Sequence, residues 1–144
     1  MQAHDQSETD EFLNKWLAPG IDLMTVQLSE NCSDLATFED DLRSLLSHIR
    51  EKCGDGCSVV VVDDFWDGGK HDIKKAGCEE LDVPFMDISD VRGDKEYMAE
   101  MGKTVLGYEG EEHVIGHDGV AAHPGDEGMA VIAERILEQV FALE

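Results

Sequence analysis

A run of four valines, Val59–Val62, limits what this chain can fold into more than any other feature. β-branched residues favour strands. An uninterrupted apolar run, without alternation of polar and apolar residues, is typical of a strand buried on both faces. The segment Ser58–Asp63 is therefore predicted to be a central strand of a parallel sheet, covered by helices on both sides.

The segments around this strand alternate between strand and helix patterns. Two further short strands are predicted at Ile21–Leu28 and Val83–Ile88. Helices are predicted over about 11–17, 37–53, 70–81, 90–101 and 126–143, and a hairpin is predicted over 104–115, turning at Glu109-Gly110. This order predicts an α/β sandwich with a short parallel sheet, in which ligands bind beyond the carboxyl ends of the strands.

Two helices carry recognisable signals in their sequence. The segment Thr37–Asp40 resembles a capping box with Asp in place of Glu, and Asp126 is predicted to cap the last helix. The predicted buried stripe of that last helix comprises Met129, Ile132, Ala133, Ile136, Leu137 and Val140.

Composition excludes several classes of partner. The 144 residues include 33 acidic and 11 basic ones, for a net charge of -22, which argues against nucleic acid and anionic membranes as partners. Residues 1–10 are predicted to be a loose tail, and 11–144 a single domain. The four cysteines match no zinc pattern, and four free thiols are favoured over a single disulfide between Cys53 and Cys57. Together with an acidic, polar N-terminus that is unlike a signal peptide, they favour a cytoplasmic location.

The loop before the last helix is the strongest candidate for chemistry. Residues 116–127 read G-H-D-G-V-A-A-H-P-G-D-E, so that Pro124 restricts the backbone of His123 and Asp118 lies close to it in sequence. A histidine fixed on a rigid loop beside a carboxylate is the arrangement of a general base, with one ring nitrogen oriented by an acid.

Two segments together resemble the SGNH (GDSL-type) hydrolases. Thr25–Asn31 reads T-V-Q-L-S-E-N, where the family has a strand followed by Gly-x-Asn, and Ser29 stands in place of the glycine. Asp118–Gly128 reads D-G-V-A-A-H-P-G-D-E-G, where the family has Asp-x-x-His, often continued by Pro-x-x-x-Gly and a helix. The resemblance covers about residues 21–143 and implies a flavodoxin-like α/β/α sandwich that hydrolyses acyl or acetyl esters, including those of sugars or lipids, without a cofactor.

The same resemblance assigns roles to individual residues. It implies that His123 is the catalytic base, Asp118 its orienting acid and Asn31 an oxyanion donor, although four residues separate Asp118 from His123 where the family has two. Ser29, Glu30, Phe65 and Trp66 are candidates to line the substrate pocket. The family's Gly-Asp-Ser nucleophile block is absent, which is interpreted as the loss of the first one or two βα units.

Several alternatives remain open from the sequence. Ser29 is a candidate replacement nucleophile, although a hydrogen-bonding role is favoured, and Phe65 and Trp66 could equally cap the core. The chain could be a binding module without catalysis, or His113, His117, Asp118 and His123 could bind a metal, although their spacing matches no known motif. An unpaired, apolar sheet edge at Ile21–Leu28 would favour a homo-oligomer.

Overall fold

The computed structural model of the protein describes residues 6–33, 35–66 and 68–142, with side chains described from residue 10 onward. The helices are α1 (Gln6–Leu13), α2 (Phe38–Cys53), α3 (His71–Glu80), α4 (Asp118–Ala121) and α5 (Asp126–Phe141). The strands are β1 (Leu23–Val26), β2 (Ser58–Val62), β3 (Phe85–Met86), β4 (Thr104–Leu106) and β5 (Glu112–Val114). Two 3-10 turns, Gly68–Lys70 and Lys95–Tyr97, complete the regular structure of the described residues.

The valine strand lies at the centre of a parallel sheet, as predicted. The sheet order is β1-β2-β3, with Thr25 opposite Val60 and Val61 opposite Phe85. Val59, Val60, Val61 and Val62 are all buried. The structure therefore confirms a mixed α/β fold with a short parallel sheet, to which a small antiparallel sheet is added.

The two faces of β2 belong to different groups of core residues. On one side, Val59 and Val61 pack with residues of α2 and α3, including Leu46 and Cys78. On the other side, Val60 and Val62 pack with Phe65, Met86, Ile88, Val91 and Ile132, the last of which belongs to α5. Alternation along a single strand thus divides the apolar residues into two groups.

Helix α2 has the predicted extent, but the predicted capping box does not form. Thr37 is the N-cap residue, yet its hydroxyl donates to the carboxylate of Asp41 at 2.8 Å instead of capping a backbone N–H. The helix ends at Cys53, and the residue that caps it, Gly54, has φ +79°. Such a positive φ favours glycine, because other residues are strained there.

The predicted helix over 90–101 is wrong, since only the turn Lys95–Tyr97 is helical there. This segment pairs instead with the loop that carries His123. Ala99 N–H donates to the carbonyl of His123 at 2.9 Å, and Gly125 N–H donates to that of Tyr97 at 2.8 Å. Glu100 and Gly102 adopt positive φ, which interrupts any helix.

Helix α5 is present, but Gly125 and not Asp126 is its N-cap residue. The buried face passes through Gly128 and Ile132, whereas Met129 and Leu137, both predicted to be buried, are 56% and 52% exposed. Arg135 of this helix donates two hydrogen bonds to Asp90, at 2.7 and 2.6 Å.

The N-terminal prediction is only partly correct. Helix α1 begins at Gln6, so residues 6–10 of the predicted loose tail are helical, while residues 1–5 lie outside the described residues. The helix ends at Leu13, before the predicted end at Leu17, and Leu17 joins the core. The hairpin β4–β5 is confirmed, with Gly110 at its turn.

In the part of the chain that the structure describes, every helix is too short or too polar to cross a bilayer.

The close packing of α5 against residues 95–98 predicts a sharp response to one substitution. In Gly128→Ala, the added Cβ would fall inside contact distance of the Tyr97 carbonyl oxygen and 3.1 Å from the Cβ of Pro124. We expect a loss of about 1–3 kcal/mol in the free energy of unfolding, measured by urea denaturation, even though alanine favours a helix. Gly56→Ala is the control, because its added Cβ meets nothing within 4 Å; equal stability of the two variants would contradict the observed packing.

Candidate active site at the carboxyl edge of the sheet

Two buried aspartates, Asp63 and Asp64, follow the last valine of β2 and are fully shielded from solvent. Burial of a carboxylate is unfavourable unless charges and hydrogen bonds compensate it. The compensating groups come from three loops and helix α3, so this pair of aspartates joins the segments that surround the edge of the sheet.

Asp64 is compensated by two buried lysines and a serine. Lys74 Nζ lies 2.5 Å from its Oδ1, and Lys70 Nζ lies 3.9 Å from its Oδ2. The hydroxyl of Ser29 donates to the carboxylate, 2.9 and 2.8 Å from its two oxygens. The loop after β1 is thereby attached to the end of β2.

Asp63 is compensated from the opposite direction. His71 Nδ1 lies 2.7 Å from Asp63 Oδ2, and Arg92 forms an ion pair with the same oxygen. Arg92 also donates through Nε to the carbonyl of Asp64 at 2.8 Å. The loop after β3 is therefore joined to the same centre.

The loop after β1 has an unusual backbone at Ser29. Its φ is +110°, a conformation that favours glycine and strains a side chain. Glu30 follows, and its carboxylate accepts hydrogen bonds from the backbone N–H groups of Phe65 and Trp66, the latter at 3.1 Å. The strained turn is thus held from both sides by the residues that follow β2.

Trp66 connects this loop to His123. Its indole N–H donates to the carbonyl of Ala122 at 2.7 Å. The rings of Trp66 and His123 meet edge to face, with centroids 4.4 Å apart and planes at 82°. The loops after β1 and β2 and the loop before α5 therefore meet at one place.

The ring of His123 is oriented by a backbone carbonyl. Its Nδ1 lies 2.6 Å from the carbonyl oxygen of Gly119. A carbonyl only accepts hydrogen bonds, so Nδ1 carries the proton and Nε2 carries the lone pair in the neutral ring. This tautomer is the one that a general base acting through Nε2 requires.

The backbone of the His123 loop is fixed by its neighbours. Pro124 forms an isolated antiparallel bridge with Met98, and the carbonyl of His123 accepts from Ala99 N–H at 2.9 Å. The short helix α4 precedes the loop and is capped by the His117 side chain, which accepts from Gly119 N–H at 3.0 Å.

Asp118 does not occupy the predicted orienting position, which the Gly119 carbonyl holds. The intervening residues form helix α4, so Asp118 lies one helical turn before the loop that carries His123. Asp118 instead lines a cavity of about 430 Å³ beside that loop. The other lining residues, which combine apolar and charged side chains, are Lys95, Met98, Glu100, Met101, Ala121 and Ala122.

The remaining predicted site residues separate into two groups. Trp66 and Glu30 belong to the contacts around His123, and Asn31 is exposed in the turn immediately after Glu30. Phe65 is buried with Val60 and Ile132, so it belongs to the core. Ser29 has the hydrogen-bonding role that the sequence favoured.

The histidine cluster predicted as an alternative metal site is not assembled. His113 lies 3.1 Å from Glu111 on the hairpin, while His117 caps α4. Among the described residues, the one group with converging ligand atoms is Asp63, His71 and Asp87. Arg92 already occupies the carboxylate of Asp63, so this group is better explained as an ion network.

None of the four cysteines forms a disulfide, as predicted. Burial raises the pKa of the Cys78 thiol to about 11, with Lys74 opposing the shift. Cys78 is therefore a protonated core residue and not a nucleophile at neutral pH.

No family model, no curated protein and no solved structure matches this chain.

The buried ion cluster predicts a large difference between two adjacent lysines. Lys74→Met removes the closest cation from Asp64, and we expect a loss of about 3–5 kcal/mol in the free energy of unfolding. Lys75→Met is the matched control, since Lys75 is exposed, and it should change stability by less than about 0.5 kcal/mol. Urea denaturation of both variants measures the difference; similar losses would show that Asp64 does not depend on Lys74.

The backbone of Ser29 predicts an order of stability between two substitutions. Both Ser29→Ala and Ser29→Gly remove the hydrogen bonds to Asp64, but only glycine relieves the strain of a φ of +110°. We expect the glycine variant to be the more stable by about 1 kcal/mol in thermal or urea unfolding. A more stable alanine variant would contradict the strained conformation.

Proposed function

We propose that this chain carries the histidine part of an ester-hydrolase site of the SGNH type, built on a three-layer α/β/α sandwich. The observation that carries the proposal is the geometry of His123. Its Nδ1–H is held by the Gly119 carbonyl, its ring is packed against Trp66, and its Nε2 has the lone pair of a base. Pro124 and Ala99 hold its backbone in place.

The turn at Ser29 gives independent support to the resemblance. The resemblance places a glycine at this position, and the structure has a backbone conformation there that favours glycine. Asn31 follows two residues later in the same turn, which Glu30 anchors to the backbone of Trp66. Asn31 is therefore proposed as the donor to the oxyanion, on a loop joined through Trp66 to His123.

In the proposed reaction, a serine oxygen attacks the ester carbonyl carbon while His123 Nε2 takes the serine proton. The tetrahedral oxyanion accepts a hydrogen bond from the Asn31 side chain. Collapse of this intermediate breaks the bond to the alcohol, which leaves with the proton from His123. Water then releases the acyl group by the same two steps.

The serine nucleophile is proposed to come from a polypeptide segment outside this sequence. Ser29 is an unsuitable nucleophile, because its hydroxyl donates to Asp64 within the buried ion cluster. The cavity beside Ala122 is the proposed site for part of the substrate, where Met98 and Met101 would contact apolar atoms and Asp118 would accept hydrogen bonds.

The hydrogen bonds from the Ser29 hydroxyl to Asp64 also favour a second candidate function, a binding module that retains the cleft without catalysis. Such a module would bind an ester or its alcohol in the cavity of about 430 Å³ without cleaving it. Because the indole of Trp66 donates to the carbonyl of Ala122, which lines this cavity, ligand binding in the cavity should change tryptophan fluorescence whether or not turnover follows.

The proposed base is tested by hydrolysis of 4-nitrophenyl acetate by the chain and by two histidine variants. Without the proposed serine nucleophile, we expect slow cleavage by water that His123→Ala lowers by roughly tenfold or more, since general bases contribute about 10²–10⁴ in rate. His113→Ala is the matched control, because it removes an exposed imidazole of the hairpin that could react with the ester non-specifically. Equal rates in all three proteins would refute the role of His123, and a fluorescence response without cleavage would favour the binding module.

A further inference from the structure

The edge of the sheet at β1 is bordered by an apolar groove. In the described part of the chain, β1 lies at one end of the order β1-β2-β3 and pairs with β2 alone. A groove of about 410 Å³ is lined there by five consecutive residues, 24–28, together with Leu13, Trp16, Leu17, Leu45 and Ile49. Successive side chains of a strand point to opposite faces, so a groove lined by five in a row follows the edge of the strand.

Among the described residues that line this groove, none carries a charge. The chain has 33 acidic and 11 basic residues, so ten neutral residues around one groove form an uncharged surface on a strongly acidic protein. Two of the side chains that line the groove are highly exposed, Trp16 at 69% and Leu28 at 59%. Exposed apolar edges of this kind favour pairing with another strand.

In the part of the chain that the structure describes, β1 is exposed on the side of the sheet that α5 covers. Thr25 is paired in register with Val60 and points to the same face, yet Val60 is fully buried while Thr25 is exposed. Helix α5 therefore covers β2 but does not cover β1. Arg135 and Glu138 of α5 line a cavity together with residues of β3, which places the opposite side of the helix towards β1.

That opposite side of α5 carries an exposed apolar stripe. Met129, Ala133 and Leu137 are spaced four residues apart, so they lie above one another on the helix. All three are exposed, although such residues are normally buried against another element. We call the edge of β1, the exposed face at Thr25 and this stripe together the β1 surface; the residues named on it are uncharged.

We propose that the β1 surface is the interface between two copies of this chain. A two-fold axis perpendicular to the sheet would pair β1 with β1 of the other copy in antiparallel orientation, giving a continuous six-stranded sheet. The two Thr25 faces and the two α5 stripes would then lie on the same side and face each other across the axis. The inference does not depend on the hydrolase proposal.

Charge favours a second copy over a basic partner at this surface. A net charge of -22 would attract a basic protein, but the groove offers no carboxylate with which its cations could pair. An uncharged edge is complementary to itself, and no like charges meet at its centre. The remaining repulsion acts at longer range, where salt screens it within about 8–10 Å at physiological ionic strength.

Sedimentation velocity from micromolar to millimolar protein, at low and high sodium chloride, tests the proposal. We expect dimer that increases with concentration and with salt. Thr25→Asp and Leu137→Asp should each weaken association by roughly tenfold or more, because each introduces a charge and its symmetry mate at the interface. Both positions are exposed within one copy, so folding should be preserved, which circular dichroism checks.

Tyr108→Asp is the matched control, since it adds the same charge on the hairpin, where the tyrosine is fully exposed.

A second measurement needs no variant: amide hydrogen exchange of residues 23–28 should slow as the protein becomes more concentrated. A monomer at the highest concentration in high salt would overturn the proposal and leave the edge to a different polypeptide. Equal weakening of the dimer by Thr25→Asp and by Tyr108→Asp would also overturn the proposal.

Discussion

The compensation of two buried aspartates at the end of β2 is the interaction on which this edge of the molecule depends. Burying the carboxylates of Asp63 and Asp64 in the core is unfavourable unless cations and hydrogen bonds compensate them. Those cations come from the start of α3 and from the loop after β3. Ser29 attaches the loop after β1 by donating a hydrogen bond to Asp64. One charge requirement thus determines where three separate segments lie, and all three surround the candidate site.

A chain of contacts leads from this centre to His123 without a direct ion pair. Ser29 is held by Asp64, the next residue, Glu30, accepts from the backbone of Trp66, and Trp66 packs against His123. The first two contacts join the loop after β1 to the residues after β2, and the third joins the loop after β2 to the loop before α5. The histidine is therefore positioned by packing and backbone hydrogen bonds, which explains how its ring can be oriented by the carbonyl of Gly119 while Asp118 lies at the neighbouring cavity.

The parts of the fold that follow from local pattern were predictable, and those decided by tertiary contacts were not. Four valines suffice to predict β2, and apolar spacing predicts α2 and α5. The segment 90–101 also has apolar residues at helical spacing, but its backbone hydrogen bonds go to the loop of His123. In α5, apolar residues cover so wide an arc that the pattern could not show which side faces the sheet, and Met129 and Leu137 were wrongly expected inside.

The candidate site shows the same division. His123 was recognisable because Pro124 and a following helix indicate a rigid loop. Its orienting partner is a main-chain carbonyl, and every residue type has one, so the sequence could not indicate it. The buried ion cluster was missed, although a signal existed: two aspartates directly follow an apolar strand, and two lysines lie four residues apart on the next helical segment. Charges next to a buried strand must be compensated, so such a pattern indicates an ion cluster.

The contact between Trp66 and His123 has an optical consequence. A protonated imidazole quenches the emission of an adjacent indole more strongly than a neutral one does, and the two ring centroids are 4.4 Å apart. The emission of Trp66 should therefore report the charge on His123, superimposed on the emission of Trp16, which is exposed at the other edge. The molecule thus contains its own spectroscopic indicator for the protonation state of the histidine.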